Sequence, residues 1–279
     1  MELHKFEDAK EFYLRVKDYL LRNEAMHYLL LGISNALINN PEKYNCQPYL
    51  ATVEVDTSIV AVAMQTPPRP VLLSQIGNLG AVELIAQDLY CHQPSLLGVN
   101  SPNAESEAFA KAWTALTGQS YQLKIALRAF QLEQVQVTAT PPGYLRVVDE
   151  GDRELLKQWH QAFLLEALGK PEADSQNWVN YQLKNQTAYL WENQEPVSLA
   201  CQTGITPNGI GISIVYTPKK HRGKGYATAC VAKLSQYLLK KGYKYCFLFT
   251  DLANPTSNHI YQSIGYQPVG DWREYSFYD

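Results

Sequence analysis

Two short segments constrain this chain more than any other feature. "VAVAMQT" at 60–66 and "VSLACQT" at 197–203 agree at four of seven positions, 137 residues apart (197 − 60) in a chain of 279. Each follows an acid-containing turn in a helix–helix–hairpin pattern, and the same order of elements on both sides points to a duplicated fold. "TATPPGY" at 138–144 is the clearest linker between the copies. Domains are therefore expected at 1–140 and 141–279.

The composition is that of a folded chain. Hydrophobic residues make up 46% and charged residues 18%, enough apolar chain for a core and too little charge for disorder. A net charge of -3 argues against a protein devoted to nucleic acid. Cys46, Cys91, Cys201, Cys230 and Cys246 show no CxxC and no Cys/His metal spacing, so free thiols in a reducing cytosol, and no metal, are expected. The N-terminal "MELHKFEDAKEFYLRVKDYL" is charged and helical in pattern, unlike a signal peptide. The nearby "HYLLLGISNALI" is too short for the ~20 residues that span a bilayer. These features predict a cytoplasmic protein with no membrane partner.

Apolar stripes predict two helices over 5–39, broken near Arg22 and Asn23 and ended by Pro41. A hairpin follows with its turn at 56–58, then the short strand "VLLSQI" and helices over 81–90 and 104–116, the latter stopped by Gly118. "YQLKIALRAFQLEQVQV" alternates as one long strand or two short ones. The second half restarts with the strand "YLRVVD" and a helix from about Asp152. Asp174 is placed to cap a further helix. The hairpin "AYLWENQEPVSLACQT" and the turn "TPNG" lead into "IGISIVYTP".

The next segment, "KKHRGKGYA", opens a helix with an apolar stripe at 227, 230, 231, 234, 237 and 238, stopped by Gly242. "YKYCFLFTD" is then a strand, apolar on both faces and so central in its sheet. The first amides of such a helix lack internal partners, and its dipole adds positive potential. Gly223 and Gly225 let an anion approach the backbone, and Arg222 and Lys224 add charge. The turn suits a phosphate or pyrophosphate. A Walker A loop needs Ser or Thr after Lys224, where Gly225 stands. A dinucleotide fingerprint needs Gly or Ala at 228, where Thr stands, although Asp251 would suit a ribose. A nucleic-acid patch needs a broader basic surface with aromatics, and a plain solvated loop leaves the paired glycines unexplained.

"RGKGYA" resembles the acetyl-CoA signature of the GNAT N-acetyltransferase superfamily, Q/R-x-x-G-x-G/A, with Arg222, Gly225 and Ala227 on its defined positions. Downstream, "NPTSNHIYQSIGYQPVG" is similar to the family's last block, with Asn254, Tyr261, Gly265 and Tyr266 in place. Asn254 reads as a helix cap, Pro255 as the first helical residue and Gly265 as the stop. The resemblance implies an α/β (α+β) fold of two GNAT-like domains, each a mixed, mostly antiparallel sheet flanked by helices, the first a degenerate copy and the second catalytic.

By the same resemblance, the strand through Val215 and Thr217 splays from its neighbour and pairs with the pantetheine arm of acetyl-CoA, the co-substrate. The pyrophosphate would rest on Gly223, Lys224, Gly225, Tyr226 and Ala227, with Arg222 and Asn254 in contact. Tyr261 would protonate the departing thiolate. The modest net charge and the lack of a peptide-binding signature make a small-molecule primary amine the expected acceptor, and the competing class is a non-catalytic acyl-CoA-binding or sensing module. Other readings stay open beside these. Tyr261 also reads as a core-facing helix residue, Asn254 as a cap alone, Asn258 as structural or acceptor-facing, and His221 as a solvated loop residue. The base could be Glu166, His160, Asp251 or water, and Trp159, Phe163 and Trp178 are candidates for the acceptor wall. In the first half the nearest segment to the turn is "LLGVNSPNAESEAFAKAW", which lacks basic glycines.

Overall fold

The computed structural model describes residues 1–44, 46–93, 95–136, 140–169 and 175–279. Among the described residues, two successive series of ten strands and helices follow one order. The first is β1 (Glu2–Lys5), α1 (Ala9–Leu21), α2 (Glu24–Asn39), β2 (Tyr49–Val55), β3 (Ser58–Gln65), β4 (Val71–Leu73), α3 (Gly80–His92), β5 (Gly98–Pro102), α4 (Asn103–Thr117) and β6 (Ser120–Leu132). The second is β7 (Tyr144–Val147), α5 (Arg153–Leu168), α6 (Ser175–Asn185), β8 (Ala188–Asn193), β9 (Glu195–Thr203), β10 (Gly209–Tyr216), α7 (Tyr226–Lys240), β11 (Tyr245–Asp251), α8 (Pro255–Ile264) and β12 (Gln267–Tyr278). "VAVAMQT" and "VSLACQT" fall on β3 and β9, the same place in each series.

Each element has a local cause. Asp8 caps α1 by accepting from the amides of Lys10 and Glu11, as short acceptor side chains do at helix starts. Gly118 and Gly265, at φ 78° and 112°, close α4 and α8 in the left-handed conformation that glycine adopts without strain. α7 buries Ala229, Cys230, Val231, Leu234 and Leu238 on one stripe against Ile210, Cys246 and Leu248 of the sheet.

Strand order is β1-β2-β3-β4-β5-β12-β6-β11-β10-β9-β8-β7, a single sheet. Two pairs, β4–β5 and β10–β11, are parallel and the rest antiparallel. The last strands are exchanged between halves. β6 of the first half pairs with β11 of the second, and β12 of the second pairs with β5 of the first. β6 and β12 pair with each other along most of their length.

The N-terminus departs from its helical pattern, since residues 2–5 form β1 against β2. Asp174 lies outside the described residues. Among the described residues no helix is long and apolar enough to cross a membrane.

α2 joins the halves. The buried Glu24 accepts from Thr206 Oγ1 at 2.6 Å, from the Asn208 amide at 2.9 Å and from Asn208 Nδ2 at 2.9 Å, and so holds the loop entering β10. Tyr28 stacks on Phe247 at 5.6 Å and meets Phe249 at 5.1 Å. Glycine makes room for it: a Cβ at Gly211 would stand 3.1 Å from the Tyr28 ring and 2.9 Å from the Thr203 carbonyl.

Candidate functional site

β10 and β11 pair only over residues 209–211 and 245–247. A bulge in β10 accompanies their parting. Between the pairs Ser213↔Cys201 and Tyr216↔Leu199, β10 has two residues, Ile214 and Val215, opposite the single Ala200, so one goes without a ladder partner. Ile214 has φ 49°, a left-handed conformation that a β-branched residue rarely adopts. Such strain costs on the order of 1–3 kcal/mol and gathers at functional sites. β11 is paired on its other edge to β6 over residues 246–251, so its edge facing β10 is open beyond Phe247.

The gap between the strands is a cleft of about 800 Å³. Val215, Thr217, Arg222, Gly223, Gly225, Tyr226, Ala227, Asn254 and Tyr261 all line it. Lys224 is in the same turn, exposed, and does not line the cleft.

Gly223 and Gly225 both have φ 77°, and Gly225 is the cap residue of α7. The first helical bond runs from the Ala229 amide to the Gly225 carbonyl at 3.0 Å. Among the described residues the amides of 223–228 donate no hydrogen bond, so a row of donors opens into the cleft at the positive end of a 15-residue helix. Arg222 is engaged. Its Nη2 donates to Glu166 Oε2 at 2.6 Å and its Nε to the Thr217 carbonyl at 2.8 Å.

Tyr261 reaches the cleft from α8. Asn254 starts that helix by accepting from the Ser257 amide at 3.0 Å. Asn258 Nδ2 donates to the carbonyls of Asp251 and Asn254 at 2.9 and 2.8 Å, which ties the helix to the end of β11 and makes Asn258 structural. Tyr261 is 8% exposed, between Phe130 and Tyr266. It thus faces core and cleft at once. Burial raises its pKa well above the ordinary 10.

The other singled-out residues divide. Glu166, Phe163 and Asp251 line the cleft, whereas Trp159, His160 and Trp178 do not. His160 is buried, stacked on Trp178 at 4.0 Å with its Nδ1 3.0 Å from Ser175 Oγ. His221 is not a solvated loop residue. It is buried edge-on to Tyr226, and burial lowers its pKa, helped by Lys220. Sequence reasoning missed Ile125, Leu127 and Phe249 as cleft residues. The alternation of "YQLKIALRAF" carried the signal for the first two, but not which strand would receive β6.

The corresponding segment of the first half is built differently. By element order the counterpart of the basic turn precedes α3, at 74–79, and "GVNSPNAESEAFAKAW" instead matches β11 and α8. At this counterpart the backbone is bonded internally. The Leu73 amide donates to Ser101 Oγ at 2.8 Å, Gln75 to His27 Nε2 at 3.0 Å and Ile76 to Glu105 Oε1 at 2.8 Å. Tyr19 donates to the Gln75 carbonyl at 2.6 Å. Among the described residues the amides of Ser74, Gln75 and Ile76 are thus all engaged, and those of Gly77, Asn78 and Leu79 are not.

A parallel strand pair forced apart by a bulge, with a glycine turn and helix start at one end, decides the fold. The chain has the GNAT fold. Residues 193–276 match the family described as FR47-like protein. A GNAT-family acetyltransferase from Colwellia psychrerythraea is similar over 99% of both chains, at 11% identity and a TM-score of 0.59. A Drosophila protein matches over 99% of this chain and 98% of its own, at 11% identity and a TM-score of 0.71. A tandem GNAT protein from the clavulanic acid biosynthesis pathway matches over 99% and 98%, at 10% identity and 0.53. No curated protein matches by sequence.

Proposed function

We propose that the chain is an N-acyltransferase that moves the acetyl group of acetyl-CoA to the primary amine of a small molecule, with all the chemistry in the cleft of the second half. The observation that carries this reading is the open β10–β11 edge ending at the free amides of 223–228. An extended, amide-bearing arm adds to open strand edges as a further strand would, and a diphosphate is matched by unpaired amides at a helix start. The residues present therefore fit coenzyme A, with Val215 beside the arm and Gly223, Gly225, Tyr226 and Ala227 beneath the phosphates.

Acetyl-CoA supplies the acyl group as a thioester. The amide freed by the bulge at Ile214 and Val215 donates toward the charge developing on the carbonyl oxygen. Tyr261 gives its proton to the departing sulfur, and burial keeps it protonated until then. Glu166 holds Arg222 at the cleft rim.

Thiol release from acetyl-CoA across a panel of amines tests the reading. Turnover that falls about 100-fold or more in Tyr261→Phe, with coenzyme affinity within twofold of wild type, supports it. Coenzyme binding without turnover on any amine would make the chain a sensor instead.

A further inference from the structure

We propose that the acceptor is a primary amine bearing an apolar substituent, and that Ile125 and Leu127, brought by the first half's last strand, select it. This rests on the acyltransferase reading of the same cleft.

Side chains alternate between the faces of a strand. On β11, Cys246 and Leu248 pack toward α7, whereas Phe247 and Phe249 pack toward α2. On β6, Phe130 and Leu132 share the α7 core, whereas Leu127 and Ala129 share the α2 core. Leu127 is the cross-strand partner of Asp251, and Ile125 lies two residues further on the same face. Ile125, Leu127, Phe249 and Asp251 thus line the cleft from the face opposite α7. The phosphate turn opens α7 itself. A donor anchored there presents its thioester through the splay, and whatever occupies the far face is the acceptor.

That face has a definite chemistry. Ile125, Leu127, Phe163 and Phe249 are half-buried rather than sealed, so a ligand would complete their burial. Asp251 stands in the same lining, as does Glu166, which is paired with Arg222. The Asp251 carboxylate beside an apolar wall suits an amine that arrives as a cation on a hydrocarbon body. As C–N forms and C–S breaks, the ammonium nitrogen loses two protons. One ends on the thiol by way of Tyr261 and the other in solvent. A small polar amine would leave the wall wet, whereas each methylene buried on it is worth about fourfold in binding.

The test uses the full chain, acetyl-CoA and the series ethylamine, propylamine, isobutylamine, isoamylamine and phenethylamine. We expect kcat/KM to rise about fourfold per added carbon in the alkyl series, about 60-fold from ethylamine to isoamylamine. In Ile125→Ser/Leu127→Ser the rise should shrink to less than about fivefold, with stabilisation by acetyl-CoA unchanged. Acetyl-CoA stabilisation and thiol release with a flat amine profile would overturn this inference alone. So would a preference that tracks the donor chain, hexanoyl-CoA over acetyl-CoA, because the wall would then hold the acyl group. No thiol release with any amine would overturn both this inference and the acyltransferase reading.

Discussion

Tyr261, Gly225 and His27 each carry a consequence that a single substitution exposes. Because burial holds the Tyr261 phenol above its ordinary pKa of 10, a group acting as an acid stays competent in alkali. The pH profile of kcat should therefore show no basic limb below pH 10, and one near pH 8 would remove Tyr261 from the proton path. Gly225 at φ 77° admits no β-branched residue without strain of roughly 1–3 kcal/mol. Gly225→Val should weaken coenzyme binding at least tenfold by calorimetry. His27 is buried with its pKa depressed to about 4 by desolvation, against an ordinary 6.5. The folded chain keeps it neutral where the unfolded chain protonates it, so its contribution is complete above pH 6.5 and is lost as pH falls toward 4. The loss is on the order of 3 kcal/mol. Urea denaturation at pH 5 and pH 7 should show about 2 kcal/mol of that loss, reduced in His27→Gln. His221 shows where residue-level reading stops. "KKHRGK" reads as solvent-facing from composition, whereas the folded chain buries the ring beside Tyr226 and Glu195.

At the scale of elements, long periodic segments were legible and short irregular ones were not. The stripe of α7 and the caps of α8 follow from spacing and from Asn254, Pro255 and Gly265. β5, "GVNSP", has Gly, Asn, Ser and Pro in a buried strand, a composition that local propensity assigns to a turn. β12 contains Pro268 and Gly270 and is held by pairing to both β5 and β6, a long-range cause no local pattern reports. The bulge at Ile214 was equally hidden, because "IGISIVY" alternates as an ordinary strand. The wedge of α2 gives this scale its prediction. Tyr28 fills the space left by Gly211 beneath the vertex of the splay. Tyr28→Ala should destabilise the chain by about 3–5 kcal/mol, read by urea unfolding. A loss under 1 kcal/mol would mean that the halves are not packed through α2.

For the molecule as a whole, the repeat at β3 and β9 disclosed the duplicated order of elements, whereas the exchange of β6 and β12 lay beyond the sequence. The exchange sets a limit on dissection. Residues 141–279 alone lack β6, which covers an edge of β11 and supplies Ile125 and Leu127. Expressed alone, that segment should aggregate, and co-expression with 1–140 should restore it. An isolated second half that unfolds cooperatively at the same temperature as the full chain would contradict the exchange.

Thermal unfolding of the full chain with acetyl-CoA, coenzyme A and NAD added separately is the most direct test of the β10–β11 cleft as a coenzyme site. At 100 times its dissociation constant a ligand stabilises its host by about 2.7 kcal/mol. The expected result is an upward shift with acetyl-CoA and coenzyme A, none with NAD, and loss of the shift in Gly225→Val. A shift with NAD alone, or none with any of the three, would mean that the open strand edge and the free amides of 223–228 do not receive coenzyme A.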